Sequence, residues 1–169
     1  MKSLYQYLEE SSLDSLTNLY NRKAGESLIS RALENGGKYI FLLMDIDNFK
    51  AINDVYGHLK GDAALKYVAD KIRKSFRTTD VMFRLGGDEF VVFIYPCKEC
   101  RAIERKLDKI IEDYGRNIHA QFPLISSALS WGGVFSSKRR TFTELYQKAD
   151  TIMYQVKKQG GKGYQIEED

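Results

Sequence analysis

The amino-acid sequence predicts an α/β sandwich, in which one sheet is flanked by helices, and three observations support this fold class. Stretches with an apolar residue at every third or fourth position, typical of helices, alternate with short runs of β-branched and aromatic residues, typical of strands. Two such runs in the stretch 81–94 flank Gly86-Gly87, which indicates a tight β-hairpin. The resulting order of strand, helix, strand, strand, helix, strand, helix and strand corresponds to the split βαβ, or ferredoxin-like, arrangement with additions.

The length and composition favour one globular domain. The chain has 169 residues, of which 43% are hydrophobic, and this is enough to bury a core. The net charge of +3 is too small to indicate a nucleic-acid-binding protein. The longest apolar run, 39–44, is too short to cross a membrane, and residues 1–20 lack the apolar core of a secretion signal. We therefore expect a cytoplasmic domain with no nucleic-acid partner and no membrane segment.

The N-terminal residues 1–13 predict a helical lead-in with too little apolar surface to fold alone. This lead-in is either the tail of a helix from an upstream domain, such as a sensory domain, or a cap on the folded domain. We place the folded domain at residues 14–169.

The first half of the folded domain predicts two amphipathic helices on either side of a central strand. The first helix has its apolar stripe at 28–33 and ends at the glycine-rich turn 35–37. The unbroken apolar run 39–44 predicts a strand that is covered on both faces. A turn or short helix follows, and the stretch 54–62, which contains two glycines, predicts a connection. A longer helix with its apolar stripe at 65–76 then leads into the hairpin.

The second half predicts two more helices and two more strands. A helix begins near residue 103 and ends at Gly115. The strand-like stretch 123–135 contains Trp131-Gly132-Gly133, which predicts a kink or turn between two strand pieces. The last helix, about 143–159, ends at a glycine pair, and a short strand at 163–166 completes the fold.

The hairpin carries two acidic residues, Asp88 and Glu89, that a turn of this kind does not need. A third carboxylate, Asp45, ends the central strand. If the two strands are neighbours, these carboxylates converge with the backbone carbonyl of Ile46. Clustered carboxylates repel one another unless a cation compensates, so the pattern predicts a site for Mg²⁺ or a similar hard ion. The alternative is that polar residues merely end a strand in solvent.

The single CxxC, formed by Cys97 and Cys100, has three interpretations: half a zinc site, a redox pair, or two ordinary thiols. Half a zinc site would need ligands from another chain, and no thioredoxin-like pattern surrounds the pair. We expect reduced thiols without a chemical role.

Longer motifs around the acidic residues resemble the GGDEF domain of diguanylate cyclases, in order and in spacing. These motifs are Asp14, Leu16-Thr17 and Asn21-Arg22, then Asp45-Ile46-Asp47-Asn48-Phe49-Lys50, Asn53-Asp54, Gly57-His58 and Gly61-Asp62, then Arg84-Leu85-Gly86-Gly87-Asp88-Glu89-Phe90, and finally Ala149-Asp150, Tyr154 and Lys157. The resemblance covers the chain from Asp14 to Ile166.

This resemblance implies a fold, an activity and partners. The fold would be a mostly antiparallel sheet with a palm-type core, as in nucleotidyl cyclases. The activity would be that of a nucleotidyltransferase that condenses two GTP into cyclic di-GMP and releases pyrophosphate. Because each domain would hold one GTP, catalysis would require a homodimer with two-fold symmetry.

The resemblance also implies roles for individual residues. Asp45, Asp88 and Glu89 would be catalytic, and together with the Ile46 carbonyl they would hold one or two Mg²⁺ or Mn²⁺ ions. The residues that would contact GTP are Asn53 and Asp62 at the guanine edge, Gly86 and Gly87 at the turn, and Phe49, Lys50, Lys157 and Lys162.

A second nucleotide site is implied by Arg77 and Asp80, which resemble the RxxD inhibitory site of the family. Cyclic di-GMP bound there would inhibit its own synthesis. The alternative is an ion pair between residues i and i+3 at a helix end, which would stabilise the helix by only a few tenths of a kcal/mol.

Two positions depart from the family pattern. Gly161 stands where an arginine is usual, with Lys162 beside it, and Asn18 stands where a glycine is usual. Since asparagine tolerates a positive φ, we expect little effect at position 18. Loss of the arginine supports an alternative function, a GTP-binding or cyclic di-GMP-binding regulatory module without catalysis.

Overall fold

Five strands form one sheet in the computed structural model, which describes residues 12–169. The strands are β1 (Tyr39–Asp47), β2 (Val81–Gly86), β3 (Glu89–Ile94), β4 (Ala128–Ser136) and β5 (Gly163–Glu168). Their order across the sheet is β2-β3-β1-β4-β5, and every neighbouring pair is antiparallel except β4 and β5, which are parallel. The predicted class, a mostly antiparallel sheet flanked by helices, is confirmed.

Helices cover both faces of this sheet. The helices of the described residues are α1 (Arg22–Glu34), α2 (Phe49–Tyr56), α3 (His58–Ser75), α4 (Arg101–Gln121) and α5 (Phe142–Lys158). One buried apolar cluster joins β1 to α2, α3 and α4, and a second cluster joins the opposite face of β1 to α1 and α5.

The central strand β1 separates these two clusters. Residues of β1 alternate between them, with Leu42 and Met44 in the first cluster and Phe41 and Leu43 in the second. All four side chains are fully buried, which explains why this segment is an unbroken apolar run rather than an alternating one. Residues 45 and 47 continue the second series, so their side chains project toward the face that α1 and α5 cover.

The stretch 54–62 is not the predicted connection. Helix α2 extends to Tyr56, helix α3 begins at His58, and only Gly57, with a φ of 84°, separates them. Gly61 is a helical residue whose lack of a side chain has a steric reason: a Cβ there would lie 1.9 Å from Asn53 Oδ1. The two glycines therefore serve one sharp corner and one close packing contact, rather than an open loop.

Two other glycine-based predictions also differ from the structure. Helix α4 continues past Gly115 to Gln121, and a Cβ at Gly115 would meet no atom within 4 Å. Strand β4 runs without a kink through Trp131-Gly132-Gly133, each residue of which pairs with β1. A Cβ at Gly132 would lie 2.1 Å from the carbonyl oxygen of Ala149, so this glycine allows α5 to pack closely on the sheet.

The hairpin is confirmed, with its turn one residue later than the Gly-Gly pair suggests. Gly86 pairs with Glu89, so Gly87 and Asp88 are the central turn residues. Gly87 has a φ of 52°, a conformation that favours glycine. Asp88 is therefore part of the turn itself.

Most of the predicted N-terminal lead-in, residues 1–13, lies outside the described residues. Leu13 pairs with Tyr20, and Tyr20 forms a parallel bridge to Phe83 on the outer edge of β2. Asn18 lies between these two paired residues and has a φ of 56°, in agreement with the expected tolerance of asparagine for a positive φ at this position.

Asp169, the residue after β5, connects the end of this strand to β4 and to the segment that follows β4. Its amide donates to the carbonyl of Phe135, and its carboxylate forms ion pairs with Lys138, Arg140 and Lys148. The hydrogen bond from Lys148 is the main cause that lowers the pKa of this carboxyl from its ordinary value of 3.8 to about 2.

We expect Asp169→Asn to lower the free energy of unfolding at about pH 7, and the deficit to shrink on acidification. Because the pKa is lower in the folded chain, the ionised carboxylate stabilises the fold above about pH 4 and loses this effect as the pH falls toward about 2. Urea denaturation at several pH values, with the exposed Glu168→Gln as control, measures the effect. A deficit that is equal at all pH values would show that charge is not its cause.

Candidate active site

Pairing of β1 with β3 brings the predicted carboxylates together. Asp45 is directly opposite Glu89, and Asp88 precedes Glu89 in the hairpin turn. The pairing of β1 with β3 ends at Asp45, whereas its pairing with β4 continues to Asp47. Ile46 therefore lies beyond the last residue pair with β3, beside the turn.

Helix α5 adds a cation to this group. The Nζ of Lys157 lies 2.6 Å from Asp45 Oδ1, and the Asp45 side chain is only 15% exposed. Lys157 was predicted from its motif position alone, and packing of α5 on the same face as Asp45 explains its contact. The site is thus a cluster of carboxylates with one ammonium group in contact.

The electrostatics of the cluster favour bound protons or cations. Burial, together with the nearby charges of Asp88 and Asp47, raises the pKa of Asp45 to about 6, against an opposing hydrogen bond from Lys157. Burial also raises the pKa of Asp88 and of Glu89, and the charges of Asp45 and Asp88 add to the effect on Glu89. Ionised carboxylates in this environment would be stabilised by a divalent cation.

The donor chemistry of the site fits a hard cation. Carboxylate and carbonyl oxygens, the donors present at Asp45, Ile46, Asp88 and Glu89, are the ligands that Mg²⁺ and Mn²⁺ prefer. Within residues 12–169, no three carboxylate, imidazole or thiol groups lie close enough to hold one ion. The carboxylates are therefore adjacent and coupled without forming a compact ligand set.

The hairpin turn leaves open space beside the carboxylates. A Cβ at Gly86 or at Gly87 would meet no atom within 4 Å. Arg84 stabilises the turn, because its Nε donates a hydrogen bond to the carbonyl of Gly87 at 2.9 Å. The same guanidinium forms an ion pair with Asp14 at 3.4 Å. This link between the opening motif and the turn did not emerge from the sequence alone.

The residues expected at guanine lie at the corner between α2 and α3. The side chains of Asn53 and Phe49 both pack against Gly61, where a Cβ would lie 1.9 Å from Asn53 Oδ1 and 3.2 Å from Phe49 Cζ. Asp62 is the next residue and is half-buried. The structure therefore brings Asn53, Phe49 and the start of α3 together.

The remaining lysines are placed differently from one another. Lys50 is 91% exposed, and its Nζ lies 3.8 Å from Asp54 in a surface ion pair. Lys162 follows Gly161 and lines a groove with α4 residues such as Asp108 and Arg116, whereas Lys157 lines a different groove.

The predicted inhibitory residues Arg77 and Asp80 line a groove of about 420 Å³. The ion pair considered as an alternative is absent from residues 12–169: the buried Asp80 carboxylate instead accepts from the backbone N–H of Arg77 at 2.9 Å. Lys106 of α4 also lines the groove, and its Nζ donates to the carbonyl of Ser75 at 2.6 Å. The sequence signal for this third residue is its position one turn after Ile103, on the side of α4 that borders the core.

The two cysteines are free thiols, with Cys97 buried beside this groove and Cys100 half-buried. Burial raises the pKa of Cys97 and raises that of Cys100 to about 11. Little thiolate is present at neutral pH under these conditions.

None of the helices within residues 12–169 combines the length and the apolar composition needed to cross a bilayer.

Comparison with known proteins agrees with the motifs. A profile of the family described as "Diguanylate cyclase, GGDEF domain" matches residues 11–163. The chain is 36% identical over 168 residues to the diguanylate cyclase DgcS of Shewanella oneidensis, covering 95% of this chain and 55% of DgcS. The chain therefore spans about half the length of this relative.

Solved structures show the same fold. The coiled coil and GGDEF domain of DgcB from Caulobacter crescentus, in complex with cyclic di-GMP, superposes with a TM-score of 0.88 at 26% identity, covering 97% of this chain and 90% of that one. A truncated TpbB from Pseudomonas aeruginosa that comprises only the GGDEF domain gives a TM-score of 0.80 at 34% identity, covering 91% and 93%. Profile, relatives and architecture agree, and the chain belongs to the GGDEF family of diguanylate cyclase domains.

Proposed function

We propose that this domain condenses two GTP into cyclic di-GMP and pyrophosphate, as one half of a two-fold pair. The observation that carries the proposal is the meeting of Asp45, Asp88 and Glu89 across β1 and β3, with the pKa of each raised. Family membership and the diguanylate cyclase relatives support the same reaction.

The carboxylates supply the electrostatic part of this reaction. Asp45, the Ile46 carbonyl, Asp88 and Glu89 would hold Mg²⁺ or Mn²⁺, and the ion would neutralise negative charge on the triphosphate and on the pyrophosphate leaving group. Lys157 would exchange its contact with Asp45 for one with a phosphate oxygen, since an ammonium group serves either anion. Open space at Gly86 and Gly87 would admit the nucleotide next to the turn.

The corner between α2 and α3 would hold the base. The Asp62 carboxylate accepts hydrogen bonds, as guanine N1–H and N2–H require, and the Asn53 amide both donates and accepts. Phe49 packs beside Asn53 against Gly61 and would fix the position of the amide. Lys50 and Lys162, which extend from other parts of the surface, would contribute long-range attraction to the triphosphate.

Each domain would bind one GTP, and the 3′-hydroxyl of one nucleotide would attack the α-phosphate of the other across the interface. The expected rate per domain therefore increases with protein concentration, because only paired domains complete the site.

The test is to incubate the purified domain with GTP and Mg²⁺ over a range of protein concentrations and to separate the products by chromatography. We expect cyclic di-GMP and pyrophosphate in a ratio of about one to two, more than linear dependence on protein concentration, and no product after removal of divalent ions with a chelator. Absence of cyclic di-GMP at the highest protein concentration, with Mg²⁺ or Mn²⁺, would refute the proposal.

We also propose that cyclic di-GMP inhibits the domain by binding at the groove of Arg77, Asp80 and Lys106. The Arg77 side chain is exposed at the rim, and a guanidinium can bond in a bidentate manner to a phosphate or to the O6 and N7 of guanine. Lys106 adds a second positive charge to the groove, although part of its hydrogen-bonding capacity serves the end of α3.

A second candidate function, a GTP-binding or cyclic di-GMP-binding module without catalysis, has one observation in its favour. Gly161 replaces the arginine usual at this position, and its φ of 67° disfavours any side chain there. Calorimetry with GTP and with cyclic di-GMP separates the two functions, because the module would bind a nucleotide without forming product.

The proposal includes a domain boundary and a location. Residues 14–169 would fold and dimerise as the catalytic unit, and residues 1–13 would connect it to any upstream domain. Because the GTP substrate is cytoplasmic, so would be the domain.

A further inference from the structure

Asp47, the last residue of β1, contacts the loop that follows α5 although no site role was assigned to it. Its Oδ2 accepts a hydrogen bond from Ser130 Oγ at 2.7 Å and another from the backbone N–H of Lys162 at 3.3 Å. Gly161 lies so close that a Cβ on it would be 2.7 Å from the same oxygen. The carboxylate therefore fills the space between the end of β1 and this loop.

The backbone of Asp47 is held from the opposite side. Its carbonyl accepts from Ser127 Oγ at 2.6 Å, and Ser127 Oγ is 2.9 Å from the hydroxyl of the buried Tyr114. Ser130 is itself fully buried on β4. Asp47 thus has a rigid support on both its backbone and its side chain, which suits a residue that positions others.

The loop that Asp47 contacts is the turn that ends α5. Gly160, Gly161 and Lys162 all have positive φ, at 110°, 67° and 59°. The N–H of Gly160 donates to the carbonyl of Lys157 at 3.1 Å, and the N–H of Gly161 donates to that of Val156 at 3.0 Å. The conformation of this turn is therefore coupled directly to the backbone of Lys157.

We propose that Asp47 is a positioning residue that anchors this turn to β1 and so holds Lys157 beside Asp45, where the triphosphate would bind. The inference rests on the proposed function for the identity of the ligand. It also agrees with a glycine at position 161: with Asp47 against the turn, a Cβ there would lie 2.7 Å from Asp47 Oδ2, and Lys157 is the cation in contact with Asp45.

Both hydrogen bonds to the Asp47 side chain use the same oxygen, Oδ2, and this allows a sharp test. Asp47→Asn keeps both bonds with its amide oxygen and removes the charge, whereas Asp47→Ala removes the bonds as well. Ser130→Ala removes one of the two bonds and leaves the carboxylate in place. The readouts are kcat and KM for GTP, the Mg²⁺ dependence of the rate, and the Kd of a non-hydrolysable GTP analogue by calorimetry.

We expect Asp47→Ala to raise KM and Kd about tenfold, with a smaller change in kcat, and Asp47→Asn to restore both to within about twofold of the unsubstituted domain. Ser130→Ala should change KM in the same direction and by less. Because Asp47 acts through Lys157, adding Asp47→Ala to Lys157→Ala should raise KM no further.

Three results would overturn the inference. The first is a loss in Asp47→Asn as severe as in Asp47→Ala with a higher Mg²⁺ requirement, which would make Asp47 a metal ligand. The second is an unchanged KM and Kd in Asp47→Ala, and the third is full additivity with Lys157→Ala. If the unsubstituted domain forms no cyclic di-GMP, the proposed function fails while the analogue affinities still test Asp47; if it binds no analogue either, both fail.

Discussion

Replacing Asp45 by asparagine is expected to reduce cyclic di-GMP formation by about a thousandfold or more, the scale of losing a main electrostatic element in phosphoryl transfer. Asp45 is in contact with residues of two other elements of the site. It lies opposite Glu89 of β3, and its carboxylate accepts a hydrogen bond from Lys157 of α5. Asparagine has nearly the same shape but no charge, so it would hold a divalent ion weakly. Product chromatography under saturating GTP and Mg²⁺ measures the loss.

Correct folding of this variant can be checked in advance, because its stability should not fall. Burial and neighbouring negative charges raise the pKa of Asp45 to about 6, so ionised Asp45 costs stability as the pH rises from about 4 through 6. Without divalent ions at about pH 7, Asp45→Asn should therefore be at least as stable as the unsubstituted domain.

Asp70→Asn is the matched control, since this carboxylate has no assigned role at the site and pairs with Lys74 one turn along α3, at 2.8 Å. It should leave the rate within about twofold. An Asp45→Asn variant that is folded and retains a tenth of the activity or more would show that the site does not depend on this carboxylate.

The neighbouring positions of Asp45 and Glu89 could be predicted because they lie in strands whose patterns are unambiguous. An apolar run that is buried on both faces places β1 at the centre of the sheet, and two β-rich runs around Gly86-Gly87 place the hairpin. That β1 and β3 are neighbours follows from the ferredoxin-like order of strands, which the alternation of helices and strands predicts.

Glycine signals were less informative because one residue type serves several purposes. Gly57 makes a corner, Gly61 admits Asn53, and Gly132 admits the backbone of α5. Only Gly57 changes the direction of the chain. In the sequence, however, all three glycines predict the end of a helix or a strand. Distinguishing them requires knowing which segment packs on the glycine, and this information is tertiary.

Contacts between distant segments could not be predicted either. Asp47 and Lys162 meet because β4 and β5 complete the sheet beside β1, and Lys106 reaches the Arg77 groove because α4 crosses the end of α3. In the sequence, Lys106 is one of several basic residues of α4. Arg105 and Lys109 are basic residues of the same helix, and which of these three residues faces the groove depends on helix register, which the apolar stripe sets only to within one residue.

Replacing Arg77 by alanine is expected to weaken inhibition by cyclic di-GMP about 5- to 150-fold without changing the initial rate, because a bidentate guanidinium contact contributes about 1–3 kcal/mol. The guanidinium is exposed at the groove and has no hydrogen bond or ion pair within residues 12–169. Its removal therefore leaves the fold intact. Asp80→Ala is a poorer test, since the buried Asp80 carboxylate holds the turn through the N–H of Arg77.

Arg105→Ala makes the same chemical change on the exposed surface of α4, outside the lining of the groove, and should leave inhibition unaltered. The inhibition constant is measured from initial rates at increasing cyclic di-GMP, and calorimetry of cyclic di-GMP binding gives a second readout that does not require turnover. Equal inhibition of Arg77→Ala and the unsubstituted domain would place any feedback elsewhere. A loss of cyclic di-GMP binding in Arg77→Ala but not in Arg105→Ala would assign the feedback to this groove, because both variants lose one exposed guanidinium and only Arg77 lines the groove.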